Sequence, residues 1–301
     1  MAKTMQSTPP YLDLNTYLRN RFGQRVQKLP IDAGLFCPNR DGTKGTGGCI
    51  YCDQRGSGTG AYKKGLSIQE QIERGILWAQ KRYKAKLFIA YFQAFSNTYA
   101  PLEKLEELYS QALSYPEIVG LAIGTRPDCI DSEKLKLIAQ LSKGKMVWME
   151  YGLQSASNKT LKLINRHCTV EDFIEAVKLT KEFNLLTCAH IIFGLPQESP
   201  QDMINTVKLL CKLKIDGVKF HQLYVLKGTK MEELYNQGKY KPIDIELYTD
   251  LVAKAIKMLP KNTVIQRISA DPPRGELICP TWSLKKQDIK NKIWEKIDQL
   301  Q

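Results

Sequence analysis

The sequence predicts an α/β fold built on a parallel β-sheet, and two observations support that prediction. Short apolar segments rich in Ile, Val and Phe alternate with longer segments whose apolar residues recur at helical spacing. Each helical segment is long enough to cross from the end of one strand to the start of a parallel neighbour. The alternation runs through most of the 301 residues and fits either an α/β barrel or an open doubly wound sheet.

The first helical segment is 66–84, where Ser67 is placed to cap the amino end. A buried strand, AKLFIAYFQ, follows it, and Pro101 opens the next helix. The remaining elements alternate in the same way, with strands at 118–125, 145–154, 185–196 and 216–226 and helices at 131–143, 169–183 and about 200–213. The pattern therefore predicts roughly six strands.

Polar and glycine-containing groups follow several of these strands at their carboxyl ends. They are Gln93, Thr125-Arg126, Gln154-Ser155 and Gly194-Leu195-Pro196. Because loops at this edge build the active site in both α/β architectures, we expect these groups to lie near one another. The helix-rich tail from about residue 240 breaks the alternation and predicts an appended extension rather than a separate domain.

The net charge is +13, from 44 Lys and Arg against 31 Asp and Glu. This excess favours a polyanionic partner such as RNA, DNA or an acidic protein surface, and the alternative is a solvated basic surface. The sequence has no apolar run of the about 20 residues that a membrane span requires, and its first residues lack the apolar core of a secretory signal. We therefore expect a cytoplasmic protein with no membrane partner, whose eight cysteines are thiols or metal ligands rather than disulfides.

Three cysteines, Cys37, Cys49 and Cys52, lie within the glycine-rich stretch CPNRDGTKGTGGCIYC. Their spacing suits zinc or an iron–sulfur cluster, and free thiols are a third alternative. Structural zinc normally takes four ligands, and the next Cys or His along the chain is Cys129. Three thiolates on a [4Fe–4S] cluster leave one iron without a protein ligand, so that this iron can bind an exogenous molecule.

The cysteine loop resembles the cluster motif of radical S-adenosylmethionine (radical SAM) enzymes in a long-spaced form. The usual spacing in that superfamily is C-x3-C-x2-C, whereas this chain has C-x11-C-x2-C. The longer spacing and the flanking CPNRDG and GGCIYC are similar to the YhcC/YtqA-like radical SAM family, which is close to the radical SAM domain of the Elongator acetyltransferase. Further similar blocks follow in the same order over about residues 10–290: YFQAFSNTYAPL, IGTRPDCI, YGLQSASNKTLKLINR, HIIFGLP and DGVKFHQLYVLKGT.

The resemblance implies a fold and two cofactors. The fold is a partial, TIM-like (βα)6 barrel at residues 30–240, with an N-terminal extension at 1–29 and a helical, basic C-terminal extension at 241–301. The cofactors are a [4Fe–4S] cluster on the three clustered cysteines and SAM, whose amino and carboxylate groups the open iron chelates. A flavodoxin- or ferredoxin-type electron donor is implied as a partner.

By the same resemblance, five residues contact SAM: Tyr51, Gln93, Gln154, Arg166 and His190. Tyr51 is expected against the adenine, and Arg166 suits a carboxylate because its guanidinium is always charged and bidentate. Gln93 replaces a glycine-rich segment that holds the SAM amino group in many relatives, and His190 stands where relatives place a polar contact, often an acid. The alternatives are a core aromatic for Tyr51, a surface salt bridge for Arg166 and a hydrogen-bonded core histidine for His190.

Candidates for the substrate side are His221, Tyr224, Lys227, Arg267, Asp271, Arg274 and Trp282. The last four lie in a tail whose Arg, Lys and Trp suit a phosphate backbone or a stacked base of single-stranded RNA. The alternative is a surface loop that covers the end of the barrel. Arg126, Asp128 and Glu150 are expected either near the barrel mouth or in structural ion pairs, and the other five cysteines are expected to be buried thiols.

The implied reaction begins with one electron passing to the sulfonium of SAM, which gives methionine and a 5′-deoxyadenosyl radical that abstracts hydrogen from the substrate. The basic charge and the Elongator-like blocks favour tRNA as the substrate. The specific hypothesis is hydrogen abstraction on the side chain of 5-carboxymethylaminomethyluridine at the wobble position, leading to loss of its carboxymethyl arm. Two alternatives stay open: a radical SAM enzyme that acts on a small metabolite or protein, and a non-catalytic metal-binding scaffold with zinc in the loop.

Overall fold

The computed structural model describes residues 9–56, 58–273 and 275–300. The strands within them are, in chain order, β1 (Val26–Ile31), β2 (Leu87–Phe92), β3 (Ile118–Thr125), β4 (Met146–Gln154), β5 (Leu186–Phe193), β6 (Gly217–Gln222), β7 (Val225–Leu226), β8 (Val264–Arg267) and β9 (Leu277–Cys279). Seven of them form one curved parallel sheet in the order β1-β2-β3-β4-β5-β6-β8, and β7 pairs antiparallel with β9. Since β1 and β8 do not pair, the sheet is a partial barrel, and the predicted α/β partial barrel is confirmed.

The helices of the described residues are α1 (Leu14–Phe22), α2 (Ile68–Tyr83), α3 (Leu102–Leu113), α4 (Ser132–Leu141), α5 (Asn158–Leu163), α6 (Val170–Glu182), α7 (Pro200–Lys212), α8 (Lys230–Asn236), α9 (Ile245–Met258) and α10 (Lys286–Gln299). The predicted caps form: the Ser67 hydroxyl accepts the backbone N–H of Glu70, and the Glu70 carboxylate accepts the backbone N–H of Ser67. The same reciprocal box starts α6 at Thr169. No helix in the parts of the chain that the structure describes is long and apolar enough to cross a membrane.

The two faces of each central strand have different surroundings. In β2, Phe88 and Phe92 pack into the large core under the helices, whereas Ile89 and Tyr91 face the barrel interior. Because strand side chains alternate with a period of two, the polar interior residues recur at every second position. This alternation places Glu150 of β4 and other polar groups inside the barrel.

An apolar layer closes the lower end of the barrel, below the polar interior residues. Leu18 of α1 packs with Trp148, Ile89 and Val264, and the rings of Tyr17 and Trp148 meet edge to face at 5.7 Å. Burying these groups removes apolar surface from water and fixes α1 across the gap between β1 and β8. The open upper end, at the carboxyl ends of the strands, is left for the site.

The sheet has seven strands where the sequence predicts roughly six. The strand β8 comes from the segment predicted to be a C-terminal extension, and it has only four residues, too few to show a period. The first strand, β1, contains Pro30, which is tolerated there because β1 lies at the edge of the sheet.

Candidate active site

The cysteine loop lies over the carboxyl ends of the strands, between β1 and α2. Cys37, Cys49 and Cys52 line one cavity of about 140 Å³, which we call the cysteine cavity. Arg40 holds the loop together, because its Nη2 donates to the backbone oxygens of Cys52 at 3.0 Å and Asp53 at 2.7 Å. All eight cysteines are free thiols, as expected for a chain without disulfides.

Cys49 is buried and has two N–H donors beside its sulfur. Asn39 Nδ2 and Arg166 Nη1 both lie 3.7 Å from Cys49 Sγ, and such donors stabilise a thiolate. Burial raises the pKa of the Cys52 thiol to about 11, and a metal that binds such a thiol displaces its proton.

The three clustered cysteines are compatible with a multi-iron cluster. Among the described residues, no three side chains of His, Cys, Asp or Glu converge closely enough to share one metal ion. Structural zinc takes four protein ligands around one point, whereas each cysteine of a [4Fe–4S] cluster binds a separate iron. Three soft thiols around one cavity meet the second requirement.

Arg166 lies in the wall of the cysteine cavity and is only 7% exposed, so the alternative of a surface salt bridge is wrong. Its Nη2 donates to the Gly152 carbonyl oxygen at 2.7 Å. Its Nε is buried and has no hydrogen-bond partner among the described residues. An unpartnered guanidinium N–H in a cavity wall is available to an anionic ligand.

Gln154, at the end of β4, has an unusual backbone. Its φ is +70°, in the left-handed region that non-glycine residues seldom adopt, and the β4–β5 ladder shifts register between Gly152 and Gln154. The Gln154 side chain lies beside Arg166. A Cβ built on Gly152 would lie 2.5 Å from Gln154 Nε2 and 2.9 Å from Arg166 Nη2. Such local strain is typical of functional sites.

The remaining three predicted SAM contacts, Tyr51, Gln93 and His190, also line the cysteine cavity. Together with Gln154 they line a second, adjoining cavity of about 360 Å³, the central cavity. All five predicted SAM contacts therefore line the cysteine cavity, and all of them except Arg166 also line the central cavity. A core role for Tyr51 and a hydrogen-bonded role for His190 are both compatible with these positions.

Glu150 anchors the polar interior of the barrel. Its buried carboxylate accepts from Lys28 Nζ at 2.5 Å, from Lys219 Nζ and from His190 Nε2 at 2.8 Å. Burial alone would raise the pKa of Glu150, but Lys219 and Lys28 hold it well below its usual value. Burial and Lys219 lower the pKa of His190 to about 4, so its imidazole is neutral at physiological pH.

Four of the seven substrate-side candidates line the central cavity: His221, Tyr224, Arg267 and Asp271. Lys227 is exposed outside it, and Trp282 packs against Tyr248 with ring centroids 5.4 Å apart, as part of the cover over the core. Arg274 lies outside the described residues. Arg126 and Asp128 form a buried ion pair at 2.8 Å, which is the structural alternative considered for them.

Sequence reasoning missed three residues of the interior: Lys28, Lys219 and Tyr91. Lys219 Nζ donates to the Tyr91 hydroxyl at 3.0 Å, and the ring of Tyr91 lies under both ammonium groups, 4.9 Å from Lys28 Nζ and 4.3 Å from Lys219 Nζ. The lysines sit at interior positions of β1 and β6. No local signal marks either lysine, because a strand face that meets solvent shows the same pattern.

Near the site, the environment of the Glu198 carboxyl disfavours its ionised form. Burial raises the pKa of Glu198 to about 7, although the Ser155 hydroxyl donates to it. Its folded-state pKa is above the unfolded one, so the stability present at low pH is lost as pH rises toward 7. At pH 8 we expect the free energy of unfolding of Glu198→Gln to exceed that of the wild type by about 2 kcal/mol. Near pH 4.5 we expect the two free energies to be equal.

Urea unfolding at the two pH values measures this difference, with Glu107→Gln on the exposed face of α3 as the matched control. A gain of stability that is the same at both pH values would show that the Glu198 carboxyl does not titrate as described.

Two family models match the chain. The one described as the radical SAM superfamily matches residues 36–210, and the one described as the radical SAM C-terminal domain matches residues 215–299. The uncharacterised protein MJ0486 of Methanocaldococcus jannaschii is 40% identical over 283 residues, which cover 93% of this chain and 86% of that protein. The uncharacterised protein YtqA of Bacillus subtilis is 36% identical over 288 residues, covering 96% of this chain and 89% of that protein.

More distant matches include a tRNA acetyltransferase and a solved structure of Elp3. The tRNA uridine(34) acetyltransferase of Methanocaldococcus jannaschii is 29% identical over 163 residues, which cover 53% of this chain and 30% of that protein. A solved structure of Elp3 from Methanocaldococcus infernus, with an N-terminal deletion, matches with a TM-score of 0.69 at 20% identity, covering 80% of this chain and 61% of that one. At this identity the structural match shows a shared fold.

Proposed function

This chain belongs to the radical SAM superfamily of enzymes, as its cysteine loop predicts, and from that membership we propose that it cleaves SAM at the cysteine cavity and attacks a modified uridine of tRNA. One observation carries the first half of the proposal: the three clustered cysteines, Arg166 and Gln154 line the same cavity. The superfamily implies a [4Fe–4S] cluster and SAM as cofactors.

The residues around the cavity fit both groups. Cys37, Cys49 and Cys52 would hold the cluster. The buried, unpartnered Nε–H of Arg166 would donate a hydrogen bond to the carboxylate of SAM. When bound, the cluster supplies one electron to the sulfonium of SAM, which gives methionine and a 5′-deoxyadenosyl radical.

The protein orients the reactants and excludes water. Arg40 fixes the loop through the Cys52 and Asp53 carbonyls, and Gly152 fixes Arg166 through its carbonyl. His190, held neutral, presents one hydrogen-bonding nitrogen where the cysteine and central cavities meet. The central cavity would hold the substrate C–H bond beside bound SAM and keep water away from it.

A small substitution at Gly152 should disturb this arrangement selectively. A Cβ at position 152 would lie 2.5 Å from Gln154 Nε2 and 2.9 Å from Arg166 Nη2, so both side chains must move. We expect Gly152→Ala to raise the dissociation constant for SAM roughly tenfold or more, as lost hydrogen bonds to a charged group do. Equilibrium dialysis of the cluster-loaded protein measures it.

Gly75→Ala in α2 is the matched control, because its Cβ would meet only Leu29 side-chain atoms, at 3.3 Å or more. Equal SAM affinity in the two variants would remove Arg166 and Gln154 from the proposed SAM site.

Two observations support tRNA as the substrate class. The chain carries a net charge of +13, which suits a polyanion. It is also 29% identical, over about half of its length, to a tRNA uridine(34) acetyltransferase. The wobble side chain proposed is 5-carboxymethylaminomethyluridine, on which the enzyme would abstract hydrogen from a side-chain carbon.

The test compares one tRNA in two forms, with and without this modification, mixed with cluster-loaded protein, dithionite and SAM. We expect the modified form to increase 5′-deoxyadenosine formation and to change the mass of the released nucleoside, and binding to weaken steeply with salt. If neither form stimulates the reaction and binding shows no salt dependence, a small metabolite or protein replaces tRNA as the substrate class.

A further inference from the structure

The barrel interior contains more positive than negative charge. Lys28, Lys219 and Arg267 all lie in the walls of a third cavity of about 790 Å³, the side cavity, which opens between the edge strands β1 and β8. Lys219 and Arg267 also line the central cavity, so the two spaces meet at these side chains. The basic cluster therefore faces both the proposed reaction site and the opening of the partial barrel.

The protein's own carboxylates do not balance these charges. Glu150 alone pairs with both Lys28 and Lys219. Asp271 lines both cavities, but its carboxylate pairs with Lys286 on α10. Within residues 9–56, 58–273 and 275–300, Arg267 makes no ion pair. Glu150 therefore balances only one of the two lysine charges, and Arg267 adds a further cation in cavities that it shares with Asp271.

An excess of positive charge in a confined space destabilises the fold unless a bound anion balances it. The side chains of Lys28 and Lys219 are 13% and 5% exposed, so water screens them poorly. Because an unpaired buried charge is destabilising, excess cations in a cavity are typical of a site for an anion.

Uncharged polar atoms lie in the same region without a partner. Nε2 of His221 and Nε2 of Gln266 are buried and make no hydrogen bond within the described residues. His221 stacks on His190 with ring centroids 5.5 Å apart, and burial and then Arg267 lower its pKa well below the usual value. A neutral His221 adds a hydrogen-bonding nitrogen to the basic cluster without adding charge.

We propose that Lys28, Lys219 and Arg267 form a subsite for an oxyanion of the substrate, a carboxylate or a phosphate, at the junction of the central and side cavities. The inference rests on the proposed function, because it takes this junction as the substrate side of the SAM site. In the proposed substrate the carboxylate is the end of the carboxymethylaminomethyl side chain, and the phosphate is that of the nucleotide. Binding either one would place the neighbouring C–H bonds in the central cavity.

The test uses cluster-loaded protein saturated with SAM, with inorganic phosphate and acetate as probes in calorimetric titrations. We expect both anions to bind saturably, Arg267→Met and Lys219→Met each to weaken binding roughly tenfold or more, and Arg267→Lys to retain most of it. Lys254→Met on the exposed face of α9 is the matched control and should change nothing. The proposal is overturned if Arg267→Met binds phosphate and acetate as tightly as the wild type does, or loses no more affinity for them than Lys254→Met does.

Two further probes identify the source of the anion. 5-Carboxymethyluridine carries only a carboxylate, uridine 5′-monophosphate carries only a phosphate, and uridine carries neither. The probe whose affinity falls about tenfold in Arg267→Met, while uridine is unaffected, carries the group that the subsite binds. Equal losses for all three, uridine included, would overturn the proposal, because Arg267 would then act on the base or on the fold.

The same preparations separate this inference from the proposed function. If wild type forms 5′-deoxyadenosine but the Arg267 variants bind anions normally, only the subsite is wrong. If anion binding follows Arg267 and no preparation cleaves SAM, the subsite stands and the radical reaction is wrong. If Arg267→Met instead weakens SAM binding, then Lys28, Lys219 and Arg267 bind the SAM carboxylate. The subsite for a substrate is then overturned.

Discussion

Cys49→Ala is expected to remove most of the bound iron and to lower SAM cleavage roughly a hundredfold or more. Cys49 is the most enclosed of the three clustered cysteines and the one whose sulfur has N–H donors from both Asn39 and Arg166. Losing its sulfur leaves two cysteines for four irons. Iron content per protein, visible absorption and 5′-deoxyadenosine formation after anaerobic reconstitution measure the effect.

The matched control is Cys211→Ala, which removes a half-buried thiol on α7 away from the cysteine cavity. Cys52→Ala should behave like Cys49→Ala, since the two thiols line the same cavity. Iron content that is equal in Cys49→Ala and Cys211→Ala would show that the loop does not hold the cluster.

Glu150→Gln is expected to lower the free energy of unfolding by about 3–5 kcal/mol. The substitution removes the only carboxylate that pairs with Lys28 and Lys219 among the described residues, and it leaves two buried ammonium groups side by side. Urea unfolding of the wild type and the variant at pH 7 measures the loss. Glu107→Gln, an exposed pair with Lys104 on α3, should change stability by no more than about 0.5 kcal/mol.

A second substitution checks the cause of that loss. Lys219→Met added to Glu150→Gln removes one of the unbalanced charges, so the double variant should be more stable than Glu150→Gln alone. If the double variant is less stable by the sum of the two single losses, the two groups act independently and the electrostatic explanation is wrong.

Much of the site could be predicted because its residues sit where the chain pattern is strongest. The cysteine loop stands out by spacing, and Gln93, Gln154 and Arg126 follow apolar strands whose carboxyl ends converge. The structure brings all five predicted SAM contacts to the cysteine cavity. Their roles toward SAM remain proposals.

The basic interior could not be predicted for a physical reason. A lysine such as Lys219 in GVKFHQ has the same local pattern whether its strand face meets solvent or the inside of a barrel. Lys28 lies in an edge strand interrupted by Pro30, and Arg267 in a strand of four residues, so neither strand was assigned. Only the curvature of the sheet places Lys28 and Lys219 on Glu150 and all three cations in the wall of the side cavity.

Trp282 shows the opposite case. Its aromatic ring beside paired lysines suits nucleic-acid stacking, but the ring packs on Tyr248 of α9 against the main core. Composition indicates which side chains are able to stack on a base, whereas tertiary packing decides which of them are free to do so.

The most direct test of the central claim is the formation of 5′-deoxyadenosine and methionine by the anaerobically reconstituted wild-type protein with dithionite and SAM. We predict cysteine-dependent formation of both products, at equal amounts, because one electron cleaves one carbon–sulfur bond. Protein with a full complement of cluster iron that leaves SAM intact would contradict the account, and the non-catalytic scaffold would then be the better interpretation.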